Sequence, residues 1–146
     1  MYELSVTRLI AAPPAKVWDV LTNRMGEWWC PKPWRAEVER MDRTPGGQSL
    51  IVMRGPDGEV NRHPGFIAAW DEGRRFAMTD AITGDLEPSG PFMLGIWEVE
   101  SEGTGTRYTA RARHWTPESM AHHQEMGFAE GWGICADQLQ ALCEGA

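Results

Sequence analysis

Four histidines (His63, His114, His122 and His123), together with Asp80 and Tyr108, are the side chains in this sequence best suited to moving protons. Imidazole and carboxyl groups titrate below or near neutrality and phenol near pH 10, and burial or neighbouring groups shift all three. An enzyme built on this chain would therefore use Asp80, Tyr108 or His114 as its acid or base. Covalent chemistry has less to draw on. There is no Gly-x-Ser-x-Gly, and no cysteine lies near a histidine in sequence. Gly103-Thr104-Gly105-Thr106-Arg107 lacks the Gly-Lys-Ser/Thr ending of a phosphate loop and reads as a hairpin turn. The histidines form no pair at i and i+4 on a helix, and no cysteine pair exists. No metal site and no cofactor are expected from such spacing.

These groups are positioned by elements whose periodicity is plain. Glu3 to Ile10 alternates as a strand, with Leu4, Val6 and Arg8 on one face. Pro13-Pro14 ends it and opens a helix carrying Val17, Trp18 and Leu21. A second short helix is predicted over Asn23 to Trp28 and stops before Pro31 and Pro33. Four strands follow. In Trp34 to Met41, Ala36 and Val38 point inward. After the turn at Gly46-Gly47, Ser49, Ile51 and Met53 share a face. Gly55-Pro56-Asp57-Gly58 turns the chain into Glu59 to Trp70, where Pro64-Gly65 marks a bulge or an edge. Arg74 to Asp80 puts Phe76 and Met78 inward. Thr83 to Gly90 reads as a loop long enough to act as a lid.

Phe92 to Val99 and Thr106 to Trp115 form the last hairpin. Trp97 and Val99 point inward on the first strand, and Tyr108, Ala110, Ala112 and His114 on the second. Arg107, Arg111 and Arg113 take the outer face, solvated and opposite acids. Thr116 caps a helix that begins at Pro117 and is predicted to run unbroken to about Cys143. Its apolar stripe is Phe128, Trp132, Cys135, Leu139 and Leu142. Gly127 and Gly131 lie four apart on one face, where glycine costs roughly 1 kcal/mol against alanine. That cost suggests a close approach by a strand or a ligand.

Bulk properties exclude several classes. The 146 residues fit one domain, residues 1–146. A net charge of −7 without a basic cluster argues against nucleic acid. No apolar run is long enough for a membrane span, and no secretory signal is visible. Cys30, Cys135 and Cys143 are odd in number and widely spaced, as in a reduced cytoplasmic protein. Trp28, Trp29 and Trp34 cluster with Pro31 and Pro33, either as a plug for one end of the sheet or as an exposed anchor.

The ordered segments Arg8 to Pro14 with Val17-Trp18, Trp28-Trp29, Asp42-Arg43 before Gly46-Gly47, Gly55 to Gly58, Thr79-Asp80-Ala81, Gly105-Thr106-Arg107 and Gly131-Trp132 span nearly the whole chain. Together they resemble the family of homologues of the activator of heat-shock protein 90 ATPase, within the START-like, birch-pollen-allergen-like superfamily (SRPBCC). The resemblance implies an α+β helix-grip fold: a curved antiparallel sheet around a long C-terminal helix, with two short helices after the first strand. It also implies an apolar cavity, and it allows a chaperone as protein partner and a link to stress response. Superfamily members include lipid carriers, hormone and flavonoid binders, aromatic cyclases and cochaperone domains.

The expected function is a small domain binding a hydrophobic or aromatic small molecule. The alternatives are a cyclase- or hydrolase-type enzyme and a chaperone-related interaction module. The expected pocket residues are Ile51, Met53, Phe76, Met78, Asp80, Trp97, Tyr108, Ala112, His114, His123, Gly127, Gly131 and Ile134. The entrance is expected at the end bearing Trp28, Trp29 and the Thr83 to Gly90 loop.

Overall fold

The computed structural model describes residues 1–83 and 86–145. Seven strands form one antiparallel sheet in the order β1-β7-β6-β5-β4-β3-β2. They are β1 (Tyr2–Ile10), β2 (Arg35–Met41), β3 (Gln48–Arg54), β4 (Val60–Asp71), β5 (Arg75–Thr79), β6 (Leu94–Glu102) and β7 (Gly105–His114). Helices α1 (Pro14–Asn23) and α2 (Met25–Trp28) join β1 to β2, and α3 (Pro117–Glu125) and α4 (Phe128–Glu144) follow β7. The architecture is the curved sheet and long C-terminal helix of a helix-grip fold.

Short turns dictate the sheet order. Between β2 and β7 every connection but one is a tight turn, so neighbours in sequence become antiparallel neighbours in space. The chain closes by laying β1 against β7, where Leu4 faces Ala112, Val6 faces Ala110 and Arg8 faces Tyr108. On the outer face Arg107, Arg111 and Arg113 pair with Glu102, Glu98 and Glu3. Arg107–Glu102 is exposed and adds little stability, whereas the other two pairs are part-buried.

The inner face is covered by helices. From α4 it receives Phe128, Trp132, Cys135, Ala136, Leu139 and Cys143. Val17, Trp18, Val20 and Leu21 of α1 and Met25 and Trp28 of α2 complete the core. Trp28 is fully buried and Trp29 nearly so, which makes the tryptophan cluster a plug rather than an exposed anchor. Gln138 of α4 holds it in place: its Nε2 donates to the carbonyls of Trp28 (2.9 Å) and Cys30 (2.8 Å), and its Oε1 accepts from the Lys32 amide (3.1 Å).

Val38 shares the face of its register partner Ile51, as alternation placed it, but on the edge strand β2 it is left 38% exposed. One expectation about the elements is corrected. The C-terminal helix is broken. Gly127 has φ +93°, in the left-handed region that glycine adopts without strain, and it separates α3 from α4. It is a hinge glycine and not a packing glycine.

Gly131 lies within α4, yet a Cβ placed there would meet nothing within 4 Å. It therefore neither packs on the sheet nor requires glycine. Gly131→Ala should raise the unfolding free energy by roughly 1 kcal/mol through helix propensity alone. A loss of stability in urea titration would show that something not visible here occupies that side of the helix.

Candidate functional site

The site forms because β5 is short. β4 has 12 residues and β5 has five, so β5 pairs only with Phe66 to Asp71. The first half of β4, which contains His63, Pro64 and Gly65, has β3 as its only strand neighbour among the described residues. Pro64 is tolerated there because one side of its strand lacks a partner. Beyond β5 the chain crosses in an irregular segment before β6 begins. Asp80 pins its far end, with Oδ1 accepting from the amides of Phe92 (2.8 Å) and Met93 (3.3 Å). Thr79 Oγ1 adds a bond to the Met93 carbonyl (3.1 Å).

A half-open cavity of about 270 Å³ lies at this place. Its floor is Ser49, Ile51 and Met53 of β3 and Met78 and Thr79 of β5. Its rim is His63, Pro64, Gly65, Asp80, Phe92 and Met93. His123 of α3, Trp132 of α4 and Trp29, which follows α2, line the helix side, and Trp97 of β6 adds its ring from the sheet.

The aromatic wall is a continuation of the core. Trp70 stacks on Phe76 (5.0 Å), Phe76 on Trp97 (5.1 Å) and Trp97 on Trp132 (5.7 Å), with interplanar angles of 23°, 15° and 13°. Trp29 stands edge-on to both Trp97 and Trp132, at 5.5 and 5.1 Å. Offset stacks and edge contacts are the favoured arrangements of such rings. Trp97 Nε1 is the one fully enclosed side-chain nitrogen or oxygen without a hydrogen-bond partner among the described residues.

The polar part of the wall is a histidine pair. His114 Nδ1 lies 3.0 Å from the Tyr2 carbonyl, and His114 Nε2 lies 2.9 Å from His123 Nδ1. The break at Gly127 is what folds α3 over the end of β7 and brings these rings together. His123 is further enclosed by Phe92 (4.7 Å), Phe128 (5.0 Å) and Trp132 (5.9 Å). Burial, followed by the proximity of His114 and His122, pushes its pKa down to about 4. His123 is thus neutral at pH 7.

Of the residues expected to form a pocket, Ile51, Met53, Met78, Asp80, Trp97 and His123 line the cavity. Phe76 stands behind Trp97 and His114 behind His123. The others lie elsewhere. Ala112 is fully buried in the β1–β7–β6 part of the sheet. Tyr108 is buried against Trp28, and burial, reinforced by Cys135, drives its phenol well above the usual range. Ile134 is 45% exposed, since two residues from Trp132 is about 200° around the helix. Gly127 and Gly131 do not border the cavity.

Sequence reasoning missed Ser49 on the floor, although it shares the parity of Ile51 and Met53. It also missed Trp132, which sits on the stripe with Phe128. His63, Pro64, Gly65, Phe92 and Met93 gave no periodic signal. At the end expected to bear the entrance, Trp29 lines the cavity and Trp28 is buried against it. Of the proposed lid, Gly84 and Asp85 lie outside the described residues.

The thiols offer no nucleophile. Burial raises Cys30 to about 12 and Cys135 and Cys143 to about 11. No described helix is long and apolar enough to cross a membrane.

Over residues 11–144 the sequence matches the family described as activator of Hsp90 ATPase homolog 1-like protein. The chain belongs to this family. A protein of Nitrosomonas europaea with a solved structure is 36% identical, covering 96% of this chain and 92% of its own, with a TM-score of 0.88. A protein of Mycobacterium smegmatis is 26% identical over 99% of this chain and 92% of its own, with a TM-score of 0.80. The AHSA1 protein of Silicibacter pomeroyi is 19% identical over 96% of each chain, with a TM-score of 0.70, and speaks for the fold alone. No curated protein matches the sequence.

Proposed function

We propose that this member of the family is a binding protein for a small, apolar, largely aromatic molecule held between the sheet and the α3–α4 pair. The supporting observation is the cavity, walled by Trp29, Trp97, Trp132, Phe92, Met53 and Met78 with only a few polar groups among them. Apolar walls with a few placed polar atoms are the usual composition of ligand sites. The volume of about 270 Å³ lies near the lower limit of roughly 300 Å³ for such sites, which favours one or two rings over a long acyl chain.

The enzyme alternative is weaker. Tyr108 is sealed away from the cavity, His114 is behind His123, and one Asp80 oxygen is committed to backbone amides. A chaperone partner rests on the family description alone.

The test is binding of the uncharged fluorophore N-phenyl-1-naphthylamine. An affinity of about micromolar, worth roughly 8 kcal/mol, is expected. Met78→Trp places a larger side chain on the cavity floor and should weaken it at least about tenfold, or roughly 1.4 kcal/mol. Absence of binding to the unmodified protein, or binding indifferent to Met78→Trp in a folded variant, would remove this reading.

A further inference from the structure

The hydrogen positions of the histidine pair follow from its one fixed end. The Tyr2 carbonyl can only accept, so His114 Nδ1 carries the hydrogen of that 3.0 Å bond. Neutral His114 then presents a lone pair at Nε2. The 2.9 Å bond to His123 is therefore donated by His123 Nδ1–H. Neutral His123 is left with a lone pair at Nε2.

That atom has no hydrogen-bond partner among the described residues. It is nonetheless not sealed, because Trp97 Nε1 is the only fully enclosed unpartnered nitrogen or oxygen among them. His123 is 6% exposed and lines the cavity. A buried acceptor left without a donor is costly, and a ligand that supplies one removes that cost.

The geometry points to an uncharged aromatic alcohol or phenol as the cavity's ligand class, with its hydroxyl donated to His123 Nε2 and its ring against Trp29, Trp97 and Trp132. This deepens, and rests on, the binding role proposed above. The pair works as a fixed acceptor because the carbonyl of Tyr2 holds His114, and His114 holds the tautomer of His123. His114 is thus a positioning residue. The depressed pKa of His123 agrees with this, since a protonated ring would present a donor and no acceptor.

The test compares 2-naphthol, 2-methoxynaphthalene and naphthalene by calorimetry at pH 7.5. Methylation removes the donor and keeps the rings. The naphthol is expected to bind about tenfold more tightly than its methyl ether, the scale of one neutral hydrogen bond. His123→Asn is the matched variant. Its amide nitrogen falls at the position of Nδ1, so it can still donate to His114, but nothing stands at Nε2. In H123N the preference for naphthol over its methyl ether should vanish, so that the ratio of the two affinities falls to about one whatever the lost ring contacts do to all three compounds.

If H123N does not fold, the unmodified protein still decides. The ¹⁵N resonance of His123 Nε2 should move toward the protonated range on adding naphthol, and stay in place on adding the ether. Equal binding of naphthol and ether, or an unmoved resonance, overturns the hydroxyl assignment and leaves the cavity reading standing. Failure of all three compounds to bind overturns both.

Discussion

Phe76→Ala should cost roughly 4 kcal/mol of unfolding free energy, the range found when a buried aromatic is cut to alanine. Phe76 is fully buried and holds the middle of a ring stack that runs from Trp70 through Trp97 to Trp132. Trp18 of α1 meets it edge-on at 6.0 Å. Removing the ring leaves a void against three tryptophans, each too large to shift into it without leaving its own contacts. Ring contacts add about 0.5–1.5 kcal/mol each beyond area burial, which keeps the loss away from the bottom of the range. A domain stable by only about 5–15 kcal/mol would be left marginal. The consequence reaches the cavity, because Trp97 would lose the surface that fixes its plane. Urea unfolding and probe binding should therefore weaken together. A loss below about 1.5 kcal/mol would place the stack outside the stability core, since large-to-small core changes of this kind rarely cost so little.

That stack shows why the fold was legible and the site only in part. Phe76, Met78, Trp97 and Val99 were placed inward by alternation, a rule that depends on neighbouring residues alone. The turns at Gly46-Gly47, Gly55 to Gly58 and Gly103 were legible for the same reason: their glycines have positive φ at Gly46, Gly58 and Gly103. Short turns then left little freedom in strand order. Which inward residues touch a cavity is a different question. It depends on where β5 ends relative to β4, and strand ends have no periodic signal. Ala112 and Met78 share the inner face, yet Ala112 lies where helices press on the sheet and Met78 lies where they do not.

Gly127 and Gly131 illustrate the other limit. In a string of letters a glycine at a hinge and a glycine on a helix face look alike. The φ of +93° at Gly127 is set by the chain turning from α3 into α4 so that both can lie on the sheet. That turn also brings His123 to His114, nine residues apart in sequence. Alternation placed His114 inward, and helical phase placed His123 near the glycines. Their 2.9 Å contact followed from neither, because an unbroken helix would have carried α3 along the axis of α4.

The same contact sets an expected pH dependence of stability. His123 has a folded pKa of about 4 against about 6.5 unfolded. Above pH 6.5 both states hold the ring neutral, and the stability is fully present. Between 6.5 and 4 the unfolded chain binds a proton that the folded chain refuses, so stability falls as pH falls. Below 4 both are protonated and this contribution levels off. At pH 5 the loss relative to pH 7.5 should be about 2 kcal/mol. The groups that oppose the charge are His114 on β7 and His122 on α3, and the rings of Phe92, Phe128 and Trp132 withhold water. Carboxylates held low by ion pairs or hydrogen bonds, such as Glu37 beside Arg54 and Arg35, add a loss of the same sign only below about pH 4.5. In the interval from 6.5 to 5 the difference between the unmodified protein and H123N singles out this histidine. Urea titrations at pH 7.5 and 5 on the unmodified protein and on H123N make the comparison. Asparagine keeps a donor to His114 and cannot titrate, so the variant should lose most of the 2 kcal/mol slope. Equal slopes in the two proteins would mean that His123 is hydrated or readily protonated in the folded state. Its lone pair would then not be a fixed feature of the cavity.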